Sequence, residues 1–92
     1  MILGNFTKQP ADVFSYSIDY SEWLTDNDNV QSTSATVDQA GLTIESVFVN
    51  DPLLKLIISG GINGTTYKIT VTTTTADGLV KQDEFKIKVK EI

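Results

Sequence analysis

The chain contains no cysteine, no histidine and no arginine among its 92 residues. Without cysteine and histidine it can form neither a disulfide, nor the common zinc ligand sets, nor a Cys–His or Ser–His nucleophile. An imidazole acid–base group is absent as well, so nucleophile, base and oxyanion donors cannot be assembled into a catalytic constellation. The sequence therefore predicts a protein that is not an enzyme and has no catalytic residues, no metal and no cofactor.

The basic residues are seven lysines, and the net charge is −5. Arginine supplies the bidentate contacts to phosphate and guanine, and an acidic chain lacks the electrostatic attraction to a nucleic-acid backbone. Every apolar run is shorter than the roughly 18 residues of a membrane span, and the apolar N-terminus is too short for a signal peptide. We expect no nucleic-acid partner, no membrane partner, and synthesis in a cytoplasm that the protein leaves only on a larger assembly.

The length predicts one domain, because a chain this short cannot form two hydrophobic cores. Domains of this size bury a modest share of their unfolded surface and often rely on disulfides or a metal for stability. Neither can form here, so the core must suffice alone or a partner must contribute. Self-association into a homo-oligomer or assembly with other proteins would supply that stabilisation.

Apolar residues recur with a period of two along most of the chain, which indicates strands rather than helices. Four strands are predicted before the last third of the sequence, at residues 14–20, 30–37, 42–49 and 53–59. In the last third, Tyr67, Ile69 and Val71 alternate with polar residues, as do Phe85, Ile87 and Val89, with a Gly78 turn between the two sets.

Six or seven short strands separated by regular turn signals are typical of an all-β sandwich. The sequence thus predicts one domain with an immunoglobulin-like or fibronectin-like β-sandwich of six to seven antiparallel strands. Tyr67 follows a glycine-containing turn at the start of the penultimate strand, where such domains carry a tyrosine corner, a Tyr whose hydroxyl bonds nearby backbone. We expect this structural role for Tyr67, and the alternative is a tyrosine that fills a strand edge.

The predicted sandwich covers residues 13–92, and residues 1–12 are either an N-terminal arm or an edge strand of the same sheet. Apolar side chains on an arm are suited to docking on a neighbouring subunit. Trp23 is the only tryptophan, and a plug at one end of the sandwich is favoured over a sugar-stacking platform. The predicted protein-contact residues are Ile2, Leu3, Phe6, Pro10 and Trp23.

Two acidic segments invite a chemical interpretation that the surrounding sequence does not favour. Residues 26–29 offer oxygen ligands but lack the glycine and the final glutamate of a calcium-binding EF-hand loop, so a solvated connection is expected. Asp19 and Glu22 resemble a glycosidase carboxylate pair, yet a small sandwich has little room for the cleft that such a pair needs. Asp19 and Glu22 are therefore expected to be surface charges.

Charge is divided unevenly between the two halves of the chain. Residues 1–46 have a balance of −6 and residues 47–92 a balance of +1. In a sandwich this division would give one acidic and one neutral-to-basic face, suited to head-to-tail contacts. Solvated strand faces kept soluble by their charges are the simpler and favoured interpretation.

Several short motifs, in a fixed order, make the chain similar to a known family. They are FTKQPAD at residues 6–12, YSIDYSEWL at 16–24, Gly41-Leu42-Thr43, Ser59-Gly60-Gly61, Gly64-Thr65-Thr66-Tyr67 and the alternating hairpin up to Val89. This ordered set resembles small bacteriophage virion proteins of the fiber–tail adaptor type. The resemblance implies no catalytic residue.

The resemblance implies a structural component of a bacteriophage particle that joins tail, fiber or head–tail parts by protein–protein contacts. Its partners would be other phage virion proteins, and it would be located in the virion after assembly in the host bacterial cytoplasm. The alternative is a carbohydrate- or cell-surface-binding immunoglobulin-like module, since the fold alone does not decide between the two functions. That alternative needs exposed aromatic side chains, for which Trp23, Tyr20 and Tyr16 are the candidates.

Overall fold

The computed structural model describes the backbone of residues 2–25 and 27–91, with side chains from residue 4 onward. Seven strands account for most of it and no helix is present in these ranges. The strands are β1 (Ile2–Lys8), β2 (Phe14–Asp19), β3 (Val30–Val37), β4 (Leu42–Asn50), β5 (Leu53–Gly60), β6 (Thr66–Thr75) and β7 (Val80–Val89). The period-two pattern therefore predicted an all-β fold correctly, and nowhere in the described part of the chain does a helix suited to crossing a membrane occur.

The strands form two sheets that pack face to face. One sheet has the order β1-β7-β6-β3 and the other has the order β2-β5-β4. The chain crosses from one sheet to the other four times, between β1 and β2, between β2 and β3, between β3 and β4, and between β5 and β6. Only β4–β5 and β6–β7 are hairpins within a sheet, so most neighbours in the chain lie in opposite layers.

The expectation that all strands are antiparallel is wrong for β1, which pairs with β7 in parallel. β1 and β7 are separated by the rest of the chain, so no tight hairpin forces them to run in opposite directions. Residues 2–8 form β1, which lies at the edge of its sheet.

Alternate residues of the central strands point between the sheets and form the core. Among the side chains that the structure describes, twelve hydrophobic ones are buried: Tyr20, Val30, Leu42, Leu54, Leu56, Ile58, Tyr67, Ile69, Val71, Phe85, Ile87 and Val89. Fully burying one such aliphatic side chain contributes about 1.5–3 kcal/mol, so β5, β6 and β7 carry most of the hydrophobic stabilisation. The buried Thr73, Thr75 and Asp83 continue the inner face beyond Val71 and Phe85, and the interior there becomes polar.

The two ends of the sandwich carry different loops. One end, which we name the Trp23 end, carries the β2–β3, β4–β5 and β6–β7 connections. Hydrogen bonds from Tyr20 N to Pro52 O and from Val30 N to the Asp51 carboxylate join the first two connections, and one from Ala76 N to Asn29 O joins the third. At the opposite Tyr67 end lie the β1–β2, β3–β4 and β5–β6 connections. The molecule is 45 Å long and 20 Å across, so these two groups of loops are well separated.

The Tyr67 end is held together by side chains that reach across to backbone atoms. Tyr67 Oη accepts a hydrogen bond from the backbone N–H of Ile62, at 3.0 Å. The buried ammonium group of Lys8 donates to the carbonyl oxygens of Gln9 (2.7 Å) and Gly60 (2.6 Å). Burial lowers the pKa of Lys8, against the opposing effect of the nearby Asp12 carboxylate. Lys8 thus connects the edge strand β1 to β5 of the other sheet.

Candidate binding surfaces

The predicted contact residues of the N-terminal segment lie partly within the fold itself. The ring of Phe6 packs 5.1 Å from Tyr16 and 5.8 Å from Phe85, measured between ring centroids, so it closes the side of the sandwich between β1 and β2. Its other side remains exposed. Pro10 is half-buried in the β1–β2 connection. The side chains of Ile2 and Leu3 lie outside the described residues.

Trp23 lies in a single turn that follows β2. The backbone N–H groups of Trp23 and Leu24 both donate to the carbonyl of Tyr20, at 3.0 Å. The Asp19 carboxylate accepts from Ser21 N at 2.9 Å and fixes the start of the turn. That hydrogen bond lowers the pKa of Asp19. The turn brings the indole ring against the edge of Tyr20, with 6.0 Å between the ring centroids.

A cleft of about 300 Å³ opens beside this turn, and we name it the Trp23 cleft. It is lined by Ile18, Asp19, Tyr20, Glu22, Trp23, Lys81 and Asp83. Tyr20 is buried at its wall, where Oη makes a 2.9 Å hydrogen bond with Thr73 Oγ1, and burial raises the pKa of this phenol. Asp19 and Glu22, which the sequence suggested as surface charges, are exposed and belong to the cleft.

Two charged residues of β7, Lys81 and Asp83, form the inner wall of the Trp23 cleft. Asp83 is only 1% exposed, and the ammonium of Lys81 lies 3.2 Å from its Oδ1. The same ammonium lies 5.6 Å from the centroid of the Trp23 ring, within the range of a cation–π interaction. The sequence interpretation missed this pair because it began the last strand at Phe85. The alternation of Phe85, Ile87 and Val89, extended back by two and four residues, would have placed both charges on the inner face.

Besides the Trp23 cleft, a second exposed surface lies at the free edge of β4. Phe48 is 54% exposed, and Val47, Val49 and Leu53 are each more than one-third exposed. We name these four residues the β4 patch. β4 lies at the edge of its sheet, so one side of its backbone has no strand partner among the described residues. An exposed apolar edge strand is a common place for another protein to bind.

The acidic loop before β3 is held by backbone donors rather than arranged as a metal site. Asp28 Oδ1 accepts from the backbone N–H of Asn29 and of Asp77, and Asp26 lies outside the described residues. Within residues 2–25 and 27–91, no three acidic side chains are grouped closely enough to hold a metal ion. The loop between β2 and β3 is therefore hydrogen-bonded to the β6–β7 turn.

Comparison with known proteins identifies the family. None of the curated proteins matches the chain. A family sequence model described as podophage GP4 fiber-tail adaptor protein gp77 matches residues 8–88, from the end of β1 nearly to the end of β7. This match covers most of the chain, including both sheets, the Trp23 cleft and the β4 patch. The chain therefore belongs to the podophage GP4 fiber-tail adaptor gp77 family, whose members are structural bacteriophage tail proteins.

Proposed function

We propose that this protein joins a fiber protein to the tail of a podophage particle through direct protein–protein contacts. The observation that carries the proposal is the family match over residues 8–88. An adaptor needs stable surfaces for tail and fiber proteins rather than a reactive centre, and the family is one of structural adaptors. The protein would be located in the virion and would be assembled into it in the host bacterial cytoplasm.

We also propose that the sandwich is of the immunoglobulin-like type. The repeated crossing between sheets, the two short hairpins and the parallel pairing of β1 with β7 support this assignment. The hydrogen bond between Tyr67 Oη and the backbone five residues upstream supports the predicted tyrosine corner. Such a fold presents its strand edges and end loops on a rigid frame, which suits a protein that holds two larger components at a fixed distance.

The β4 patch is the proposed contact surface for one of the two components. Val47, Phe48 and Val49 lie along the unpaired edge of β4, with Phe48 on the outer face of the sheet and the two valines on the inner face. Leu53 lies at the start of the neighbouring strand β5. A partner strand that pairs with this edge can cover the apolar side chains of β4 and add backbone hydrogen bonds. The predicted contact residues Ile2, Leu3, Phe6 and Pro10 lie along β1 and the connection after it, on the opposite side of the sandwich. Together with Trp23 they remain a proposed second contact surface.

Purified particles provide the test. The protein should be found by mass spectrometry in several copies per particle, and particles made without it should lack fibers. Phe48→Lys should prevent fiber or tail attachment, because a charge placed in an apolar interface must be desolvated. Ile62→Lys is the matched variant, since Ile62 is 60% exposed in the β5–β6 connection and belongs to neither proposed contact surface.

Each result has a distinct meaning. Equal loss of assembly with Phe48→Lys and Ile62→Lys would mean that the effect is not specific to the β4 patch. Detection of the protein only in infected cells and never in particles would contradict the adaptor function. The carbohydrate-binding alternative stays a prediction, and binding of the purified protein on a glycan array would support it instead.

A further inference from the structure

The two sheets contain four and three strands, so one strand of the larger sheet has no counterpart in the smaller sheet. At one side of the sandwich β3 packs against β4. At the other side β7 faces β2, because the rings of Phe85 and Tyr16 lie 5.4 Å apart between their centroids. β1 continues the larger sheet beyond β7, whereas the smaller sheet ends at β2. Within residues 2–25 and 27–91, no strand therefore lies beside β2 and opposite β1.

Two phenylalanines that face the interior by register are nevertheless exposed at this side. Phe6 is paired with the buried Ile87 and Phe14 with the buried Ile58, so both rings belong to the inner faces of their sheets. Phe6 is 43% exposed and Phe14 is 42% exposed. A cavity of about 220 Å³ opens at the same side, lined by Phe6, Ser15, Tyr16, Ser17, Ile18 and Phe85. The apolar interior is therefore incompletely covered between β1 and β2.

The edge of β2 also offers backbone groups to a further strand. β2 pairs only with β5, so the N–H and C=O groups that point away from β5 have no strand partner among the described residues. Between Phe14 and Asp19 this edge has no charged side chain, no proline and no bulge, which are the features that usually protect a free edge from pairing. A strand can therefore pair along all six residues of β2.

We propose that an extended segment of a partner virion protein pairs with β2 as a fourth strand of the smaller sheet, an inference that rests on the proposed adaptor function. The backbone of the segment pairs with the free edge of β2, and its alternate apolar side chains cover Phe6, Phe14 and the cavity beside Tyr16. About six residues are needed to follow β2, at roughly 3.3 Å per residue. The added strand lies opposite β1, so the sandwich then has four strands in each sheet.

The charges at the two ends of β2 indicate the sequence of this segment. Asp12 precedes β2 and Asp19 ends it, whereas the side chains on its outer face between them are those of Ser15 and Ser17. Basic side chains at the ends of the segment face these two carboxylates favourably, and an uncharged middle lies beside the serines. The segment is therefore an alternation of apolar and uncharged polar residues, flanked by lysine or arginine.

A second copy of this chain is a poor donor of the strand. The strands of the described part of the chain already belong to their own sandwich. Pairing β2 with the β2 of another copy would bring β1 of both copies into the same space, because each β1 extends beyond its own β2. Antiparallel pairing of the two strands would also set Asp12 of one copy near Asp19 of the other, and like charges across strands are destabilising. The strand therefore comes from a different protein.

The test in particles introduces a photo-cross-linking amino acid at the edge of β2. Irradiated particles with Ser17→p-benzoylphenylalanine should show this protein joined to a partner virion protein, and the joined peptide should have alternating apolar residues. Thr72→p-benzoylphenylalanine, on the outer face of β6, is the matched control and should not give this product. A cross-link to another copy of this chain, or no cross-link in particles that contain the protein, would overturn the proposal.

The purified protein gives an independent test with the synthetic peptide Lys-Ser-Val-Ser-Val-Ser-Val-Ser-Lys, followed by hydrogen exchange and two-dimensional NMR. At millimolar concentration the peptide should slow the exchange of the β2 amides that point away from β5 about tenfold, and it should shift the ring signals of Phe6 and Phe14. A peptide of the same composition with its three valines adjacent should give neither effect. Equal effects of the two peptides, or no slowing with the alternating peptide, would contradict strand addition.

Substitutions distinguish a failure of this inference from a failure of the adaptor function. Phage complemented with Phe14→Lys should lose fibers or tail attachment, because the added strand would have to desolvate the ammonium. Ile62→Lys is the matched control and should leave assembly unchanged, since Ile62 lies outside this side of the sandwich. If Phe14→Lys fails to fold, Ser17→Glu on the exposed face of the same edge provides the test, with a smaller loss expected.

The two ideas then fail in different ways. If the Phe14→Lys protein, or the Ser17→Glu protein in its place, enters particles that keep a full set of fibers, only strand addition at β2 is refuted. If the wild-type protein is absent from particles, the adaptor function itself is refuted.

Discussion

The hydroxyl of Tyr67 and the backbone of Gly41 are so close that a Cβ atom at residue 41 would lie 2.5 Å from Oη. Gly41 also has φ +113°, a conformation that other residues rarely adopt. The β3–β4 connection can therefore approach the β5–β6 connection only because residue 41 has no side chain. The hydroxyl of Tyr67 therefore lies against Gly41 in one loop and accepts a hydrogen bond from Ile62 in the other.

Replacing Gly41 by alanine should lower the free energy of unfolding by about 2 to 4 kcal/mol, from backbone strain and the clash with Oη together. Gly78→Ala is the matched control, because Gly78 has φ +88° but no atom within 4 Å of the added Cβ. The loss of stability in Gly78→Ala should therefore come from backbone strain alone. Urea denaturation of both variants checks the prediction, which an equal loss in the two would contradict.

Tyr67→Phe should lower the free energy of unfolding by about 1 to 2 kcal/mol, because the backbone N–H of Ile62 loses its acceptor. The same change removes the atom that Gly41→Ala would strike. In the double variant the cost of Gly41→Ala should therefore be smaller than in the wild type, which a double-mutant cycle measures. Strictly additive losses would show that the hydroxyl does not restrict residue 41.

Tyr16 and Tyr20 should respond differently to the loss of their hydroxyl groups. Tyr16 Oη is buried without a hydrogen-bond partner among the described residues, whereas Tyr20 Oη is bonded to Thr73. Tyr16→Phe should leave the stability unchanged or raise it, and Tyr20→Phe should lower it by about 1 kcal/mol. Chemical denaturation at neutral pH compares the two, and a larger loss for Tyr16→Phe would refute the prediction.

Stability should decrease at alkaline pH because of these same two tyrosines. Burial raises the pKa of both above the ordinary value of 10.0, so the unfolded chain loses these protons first as the pH rises. The folded state then binds more protons than the unfolded state, and the free energy of unfolding falls with increasing pH. Lys8 has a lowered pKa, so the folded state loses this proton before the unfolded state does. Its contribution to the free energy of unfolding therefore rises with increasing pH.

The comparison therefore needs a variant that isolates the tyrosines. The double variant Tyr16→Phe/Tyr20→Phe should lose stability less steeply than the wild type between neutral pH and values above 10. Denaturant titrations across this range give the two slopes. Identical slopes would mean that neither phenol is harder to ionise in the folded protein.

Lys8→Met should lower the free energy of unfolding by about 1 to 3 kcal/mol, although it replaces a buried charge by an apolar group of similar length. The carbonyls of Gln9 and Gly60 would lose their donor. Lys90→Met, at an exposed position whose backbone N–H donates to the carbonyl of Lys8, should change the stability little. A more stable Lys8→Met protein would show that desolvation of the ammonium outweighs its hydrogen bonds.

The all-β fold was predictable because alternation is a local property of the sequence. The bounds of β3 match the predicted residues 30–37, and β2, β4 and β5 differ by one residue at an end. The parallel pairing of β1 was not predictable, since it depends on a contact between the two ends of the chain. The family was also predictable, because its motifs are spread in order over both sheets.

The Trp23 cleft was only half predictable. Trp23, Asp19 and Glu22 attracted attention as an aromatic and a carboxylate pair, but nothing local shows that β7 brings Lys81 and Asp83 beside them. The β4 patch was hidden for a similar reason. Phe48 has the pattern of an ordinary strand residue, and its exposure follows from the position of β4 at a sheet edge and from its place on the outer face.

The parallel pairing of β1 with β7 also determines how this domain would bear a mechanical load. β1 begins beside Glu84, midway along β7, and β7 finishes at the Tyr67 end, so a pull between these two points runs along both strands in opposite directions. The hydrogen bonds between them are then loaded in shear and must break together, whereas those of a hairpin pulled from its open end would break one after another. A load applied between these two points would therefore meet the β1–β7 ladder in its more resistant direction.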